Sequence, residues 1–365
     1  MLDRIEKKTR AGERIAPEEA LFLLECRDLL AVGRLANGVR ESRWRSRCTY
    51  NVNRHIHPTN VCVFRCTFCS FYRKPGQDGG YLVSPEEAAE RAKALVGKGI
   101  TELHLVGGCH PTAQVDYYAS LFRTIKREVP HVHIKSLTAV EIAWLARVSK
   151  TGFREVLQEL KAAGLDSLPG GGAEIFSQRV RDLTCGGKCN AEEWLEVHRV
   201  AHSLDIPSNA TMLYGHIESN EEIVDHLNRL RELQDETGGF MTFIPLAYHP
   251  ENNQLEVSTG PSGLRSLQII AASRIFLDNF PHIKAYWIML GLDLSQMALW
   301  FGADDLDGTV LDEHIYHDAG AETPNALTVE ELRELIRGAG RIPVERDTLY
   351  RPVARAKQGG STVNT

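Results

Sequence analysis

Apolar positions along the chain switch between a helical and a strand period, and the switching divides it into elements. Residues 17–35 repeat every three to four positions and predict an amphipathic helix with Pro17 in its first turn. Ser84-Pro-Glu-Glu87 predicts a capping box that opens the next helix, and Gly99 helps to end it. Helical periods follow over 115–128, 141–149, 152–163, 191–204, 219–237, 262–279 and 328–338. Between them lie short apolar runs that read as strands: Arg54–His57, Thr101–Val106, Val132–Thr138, Leu165–Leu168, Ser208–Leu213, Phe240–Leu246, His282–Met289 and Asp304–Thr309.

Strands alternating with helices imply parallel pairing and right-handed crossovers. Eight of them in 365 residues predict an α/β fold of the (β/α)8 TIM-barrel type. A doubly wound open sheet has the same periodicity. The barrel is preferred because the glycine-rich and polar segments fall just after strand ends, where barrels build their sites. The expected organisation is a helical extension over 1–50, the barrel over 51–310, and a helix with a tail packed on it over 311–365. The stretch 358–365 is expected to be disordered.

Composition narrows the partners. A net charge of −6 and a pI near 6.2 argue against a broad nucleic-acid surface. No apolar run is long enough for a membrane helix, and the charged N-terminus lacks a signal-peptide core. Eight cysteines without a secretion signal point to a reducing, cytoplasmic setting.

The chemistry is carried by Cys62, Cys66 and Cys69, in Cys-x3-Cys-x2-Cys spacing directly after the first strand. Three thiolates on one loop can hold three corners of a [4Fe–4S] cluster and leave one iron for a non-protein ligand. Cys66 and Cys69 alone would also suit a dithiol or half of a zinc site. Cys185 and Cys189 are the remaining pair, too few for a second cluster; Cys26, Cys48 and Cys109 read as free thiols. Further candidates stand at strand ends. Gly107-Gly108 would let backbone approach a ligand, and His110 follows them. Thr138 and Glu141 read equally as ligand contacts or as a capping box. The run Gly170–Gly172, with Gly171 central, offers amides to an anion, with Glu174 beside it as an acceptor. Asn209 and Thr211 share one strand face, Met212 follows them, and Gly215 permits the exit turn. Lys135, His249, Lys284, Trp287 and Arg346 complete the pocket candidates, each with an ordinary structural role as its alternative.

At the cysteine run the chain resembles the radical S-adenosylmethionine (SAM) superfamily. From His55 to Tyr350 it is similar to that superfamily's futalosine-route enzymes of menaquinone synthesis and their deazaflavin-pathway relatives. Thr59-Asn-Val-Cys, Val106-Gly-Gly-Cys-His-Pro, Asp166-Ser-Leu-Pro-Gly-Gly-Gly-Ala-Glu, Met212-Leu-Tyr-Gly-His-Ile-Glu, His282-Ile-Lys-Ala-Tyr-Trp and Pro343-Val-Glu-Arg-Asp-Thr carry the likeness. The segments around Ala139 and Trp287 and the tail favour the aminofutalosine synthase group. The resemblance implies a [4Fe–4S] cluster on Cys62, Cys66 and Cys69. It implies SAM as a consumed substrate, held by Phe68 at its adenine, Gly107 and Gly108 at its amine, and Thr138, Glu141, Met212 and Gly215. It implies addition of a 5′-deoxyadenosyl radical to 3-[(1-carboxyvinyl)oxy]benzoate, giving 6-amino-6-deoxyfutalosine; the hydrogen-abstracting dehypoxanthine futalosine cyclase is the alternative. Candidates to meet the substrate are His110, Lys135, Gly171, Glu174, Asn209, Thr211, His249, Lys284 and Arg346, with His249 favoured for a carboxylate. A flavodoxin or ferredoxin is the implied electron donor, and a homodimer is left open.

Overall fold

The computed structural model describes residues 1–94 and 96–354. The chain opens with helices α1 (Leu2–Ala11), α2 (Pro17–Glu25) and α3 (Leu29–Trp44), then strands β1 (Arg47–Asn51) and β2 (Asn53–Ile56). Next come α4 (Pro85–Lys93), β3 (Glu102–Leu105), α5 (Val115–Glu128), β4 (His133–Ser136), α6 (Ala139–Ser149) and α7 (Phe153–Ala163). The middle holds α8 (Gln178–Thr184), α9 (Ala191–Ser203), β5 (Ser208–Tyr214), α10 (Asn220–Thr237), β6 (Phe240–Ala247) and α11 (Gly263–Phe276). The last part runs β7 (His282–Ile283), α12 (Trp287–Leu290), α13 (Leu292–Ala298), β8 (Asp305–Gly308), α14 (Ile315–Asp318), α15 (Val329–Gly338) and β9 (Ile342–Glu345).

Parallel pairing runs in a ring. β2 joins β3 and β3 joins β4. Ser167 and Leu168 bridge β4 to β5, and β5, β6 and β7 follow. Lys284 bridges to Asp305 of β8, and Leu311 returns to Arg54 of β2. Among the described residues this closes an eight-membered barrel, as the alternating periods predict. β1 lengthens the first stave downward and pairs with β8 on one side and β9 on the other.

Several expectations change in detail. The helix expected over 17–35 breaks at Cys26–Asp28, because the Asp28 side chain accepts the Ala31 N–H at 3.0 Å and starts a new helix. Ser84 caps α4, accepting the Glu87 N–H at 3.1 Å, but Glu87 pairs with Arg91 instead of reaching back. The strand expected over 282–289 is strand only at 282–283; the wholly buried run after it turns into α12, an ambiguity that a short apolar run cannot resolve. The segment 311–365 is more than a packed tail: β9 adds a strand beside β1. The stretch 358–365 lies outside the described residues.

The lower barrel is filled by charge. Lys135 reaches Glu102 at 2.7 Å, and Asn51 donates to the same carboxylate oxygen at 3.2 Å. Arg346 grips Asp305 through Nε at 2.5 Å and Nη2 at 3.0 Å, and Thr49 donates to it at 2.6 Å. Lys284 lies 3.8 Å from Asp305 and 3.2 Å from Asp307. Lys135, Lys284 and Arg346 are each 2% exposed or less. These three candidates for a substrate carboxylate are therefore committed to carboxylates of the protein itself.

Removing one partner of such a pair strands a buried charge, which costs about 3–5 kcal/mol. Arg346→Met is expected to lower the unfolding free energy obtained from denaturant titration by that amount. Burial opposes ionisation of Asp305, but Arg346 and Lys284 hold it down to about 2. Its contribution is present above the unfolded value of about 3.9 and disappears as pH falls through the folded one. The variant should lose that acid limb of the stability profile.

Candidate active site

The loops after the staves meet at the C-terminal mouth around an inner cavity of about 260 Å3. Cys62, Cys66 and Cys69 all line it, with Phe68 between the last two. Cys62 accepts the Cys109 N–H at 3.4 Å. Donation from Cys109 brings the Cys62 thiol down to about 6, while burial pushes those of Cys66 and Cys69 up. Three thiols converging on one cavity, one of them already favouring thiolate, fit the three-cornered mount of a [4Fe–4S] cluster.

Glycines make the loops interlock. A Cβ on Gly107 would lie 2.5 Å from the Thr59 carbonyl oxygen, and one on Gly108 2.3 Å from that of Val61. These glycines are demanded by the backbone of the cysteine loop, a packing reason in addition to any ligand contact. Glu141 fixes the same loop from the other side. Its carboxylate accepts the Gly107 N–H at 3.2 Å and the Thr138 N–H at 2.7 Å, closing the capping box on α6. Burial raises Glu141 to about 7 despite those donors. Thr138 and Glu141 both line the cavity, so cap and pocket wall are the same residues.

Gly171, Glu174, Asn209 and Thr211 line the opposite wall. Gly170 packs against the Asn209 backbone, where a Cβ would come within 2.5 Å. Leu137 and Glu174, in loops around the site, and Asp307, near the end of β8, hold positive φ angles of 59°, 48° and 71°. Such strain gathers where a fold fixes side chains for function.

Eight candidates stand elsewhere, among them Trp287, which is wholly buried and donates its Nε1–H to the Gly308 carbonyl at 2.9 Å. Lys135, Lys284 and Arg346 belong to the charged floor. Met212 lies on the opposite face of β5 from Asn209 and Thr211 and is wholly buried. Gly215 serves the turn after β5, at φ 90°, packed on Pro261. His110 turns its Nδ1 to the Thr112 and Ala113 N–H groups, capping its own loop. His249 hydrogen-bonds the Met289 carbonyl at 3.1 Å and does not line the cavity.

The structure also brings in residues that the sequence did not single out. Lys188 lies 2.6 Å from Glu174 and 5.1 Å from the Phe68 ring centre. Burial opposes its charge, but Cys66 and Glu174 hold Lys188 well above its usual value. The clue was its place between Cys185 and Cys189. Those two cysteines do not line the cavity; the α8 end beside them receives the Thr67 N–H at the Thr184 carbonyl, 2.8 Å away, and so braces the cysteine loop. His55, His104, Tyr286, Glu313 and Tyr316 complete the inner wall.

Residues 56–230 match the family model of the radical SAM superfamily, and residues 237–359 that of the CofH/MqnC C-terminal region. The barrel, the cysteine triad and these matches define a radical SAM enzyme, working with a [4Fe–4S] cluster and SAM. The chain belongs to the branch of that superfamily that contains the aminodeoxyfutalosine synthases. It is 48% identical to the aminodeoxyfutalosine synthase of Thermus thermophilus, across 96% of this chain and 95% of that one. It is 43% identical to the 5-amino-6-(D-ribitylamino)uracil–L-tyrosine 4-hydroxyphenyl transferase of Methanopyrus kandleri, across 84% of each. It is 41% identical to the cyclic dehypoxanthine futalosine synthase of Streptomyces coelicolor, across 96% of this chain and 88% of that one. No described helix is long and apolar enough to cross a membrane.

Gly108→Ala should push the Val61 carbonyl out of place and lower the iron bound per chain after anaerobic reconstitution. Gly171→Ala meets only the Thr138 methyl, at 3.0 Å, and should keep its iron. Equal iron contents in the two variants would show that the close approach at Gly108 does not shape the cluster loop.

Proposed function

We propose that this protein is an aminofutalosine synthase in the futalosine route to menaquinone. It would join the 5′-deoxyadenosyl group of SAM to the enol-ether double bond of 3-[(1-carboxyvinyl)oxy]benzoate, with rearrangement and loss of one carboxylate, to give 6-amino-6-deoxyfutalosine. The likeness to the Thermus synthase over nearly the whole of both chains carries this reading. When bound, the [4Fe–4S] cluster supplies the electron that cleaves SAM into methionine and a 5′-deoxyadenosyl radical.

The protein's own part is orientation and exclusion of water. Phe64, Phe68, Phe71, Ile244 and Leu246 line the inner cavity with carbon. An apolar wall suits a primary radical that must meet an alkene before any other bond. The Gly107 and Gly108 backbone, pinned by Glu141, would meet the methionyl end of SAM. Among the described residues Lys188 is the lysine at the cavity wall; it is paired with Glu174 at 2.6 Å, and its remaining N–H donors suit a carboxylate of SAM or of the substrate. A small flavodoxin or ferredoxin fits as electron donor.

Anaerobic incubation with SAM, dithionite and the enol-ether benzoate, followed by mass analysis, tests the reading. A covalent adenosyl adduct is expected. Free 5′-deoxyadenosine as the sole adenosyl product, with the enol ether intact, would move the protein to the hydrogen-abstracting reactions of its relatives. Lys188→Met should weaken binding of the ligand it holds by about 1.5–3 kcal/mol, as for a lost charged hydrogen bond, or roughly 10- to 150-fold. Separate titrations with SAM and with substrate show which ligand that is.

A further inference from the structure

Beside the radical cavity lies a second cluster of ligating side chains, made of His55, His57 and Glu313. One nitrogen of each histidine and one oxygen of the carboxylate all lie within 4.8 Å of one another. His55 and His57 are two apart on the first stave, so they point the same way, and Glu313 comes from the loop after β8. Barrel closure alone brings them together. All three are buried, at 6%, 3% and 2% exposure.

Their hydrogen bonds point to a ligand. The Nε2 of His55 is buried without a hydrogen-bond partner, an expensive state for a polar atom. His55 is held by stacking on His104, ring centres 4.5 Å apart and planes nearly parallel. His57 directs Nδ1 to the Val106 carbonyl at 2.9 Å. That is the outer bond that metal-binding histidines use to fix their tautomer, and it leaves the Nε2 lone pair on the other side. The Nε2 meets the His314 N–H at 3.3 Å, long for a competing bond. Glu313 Oε1 accepts the Ile315 N–H at 2.7 Å and the Tyr316 N–H at 3.1 Å, and its Oε2 meets the Tyr316 N–H at 3.2 Å and His317 Nδ1 at 3.1 Å, so a metal ion would take one of these acceptor positions in exchange.

Charges of both signs surround the cluster, Arg54 and Arg91 among them in the outer cavity, so the donor set and not the field selects a cation. Asp307 and Glu313 line the inner cavity near His55, and Asp312 and Asp318 line an outer cavity of about 470 Å3 on the other side. Arg54 answers Asp312, and Lys284 answers Asp307. His55 belongs to the walls of both cavities, so the outer one offers an access path.

We propose that His55, His57 and Glu313 form a binding site for a divalent transition-metal ion such as Zn2+, with its open coordination directed into the radical cavity. Two neutral imidazoles and a carboxylate are a donor set for such ions, and sites with three protein ligands keep a position free. Bonds of about 2.0–2.2 Å require the donors to draw together by side-chain rotation. The open position would receive a carboxylate of the substrate alongside Lys188, a role that Lys135, Lys284 and Arg346, spent on carboxylates of the protein, do not fill. That role rests on the proposed reaction; the metal site itself does not.

The test uses reconstituted protein, whose cluster thiolates are occupied, equilibrated anaerobically with Zn2+ against a competing chelator. One zinc per chain is expected, with only nitrogen and oxygen neighbours in its X-ray absorption spectrum. His57→Asn and Glu313→Gln should each weaken zinc binding at least tenfold, and His131→Ala, on the exposed surface, should leave it unchanged. His55→Asn should act alike, and the Glu313→Gln result stands if that strand variant fails to fold. Absence of stoichiometric zinc, a sulfur neighbour near 2.3 Å, or unchanged affinity in the His57 and Glu313 variants would overturn the site. Adduct formation at full rate without zinc would remove the carboxylate-holding role and keep the reaction; stoichiometric zinc without adduct would keep the site and remove the reaction.

Discussion

The barrel depends on the pairing of charges buried in its floor. Glu102, Lys135, Lys284, Asp305 and Arg346 come from β3, β4, the end of β7, β8 and the end of β9, and each is 2% exposed or less. Left unpaired, any of them would carry a desolvation penalty of several kcal/mol. Paired, they tie five separate segments to one layer. The final segment is thereby part of the structure: Arg346 grips Asp305, and β9 pairs with β1. This arrangement also sets the electrostatics above it. Three basic side chains face inward yet are already neutralised, so the inner cavity takes its polarity from other groups.

Above that floor, the site is shaped by backbone meeting backbone. The Gly107-Gly108 turn lies against the Thr59–Val61 carbonyls, and the Gly170 turn lies against Asn209. Glu141 ties the Gly107-Gly108 turn to the start of α6. Catalysis by orientation needs such loops in place before the ligand arrives. A barrel of this kind serves several radical reactions, so the outcome is set by the few side chains on the cavity wall.

What could be read locally was read well. The helix over 115–128 follows from its period alone, and that over 219–237 from its period and the Ser219–Glu222 capping box, signals that act within a few residues. The Thr138–Glu141 box is visible in four letters of sequence. The cysteine spacing announces its chemistry because three ligands on one loop are a local property. The barrel followed from alternation, and its mouth from where glycines fall. Twelve of the candidate site residues do line one cavity, since strand ends of a barrel converge whatever their sequence.

Tertiary structure decided what pairing decides. A lysine on a strand can hold a ligand or answer a buried carboxylate, and the letters 135, 284 and 346 are the same in either case; their acidic partners lie across the barrel. His249 and His110 likewise met carbonyl and amide partners within the protein. Lys188 reached the cysteine loop from α8's end, and His55, His57 and Glu313 converged across more than 250 residues. β9 exists as a strand because β1 offers it an edge. Sequence by itself determined which groups can do chemistry and the barrel that carries them. Only closure of the barrel settled which of those groups were spent on one another and which were left facing the cavity, because burial and charge pairing depend on neighbours distant in the chain.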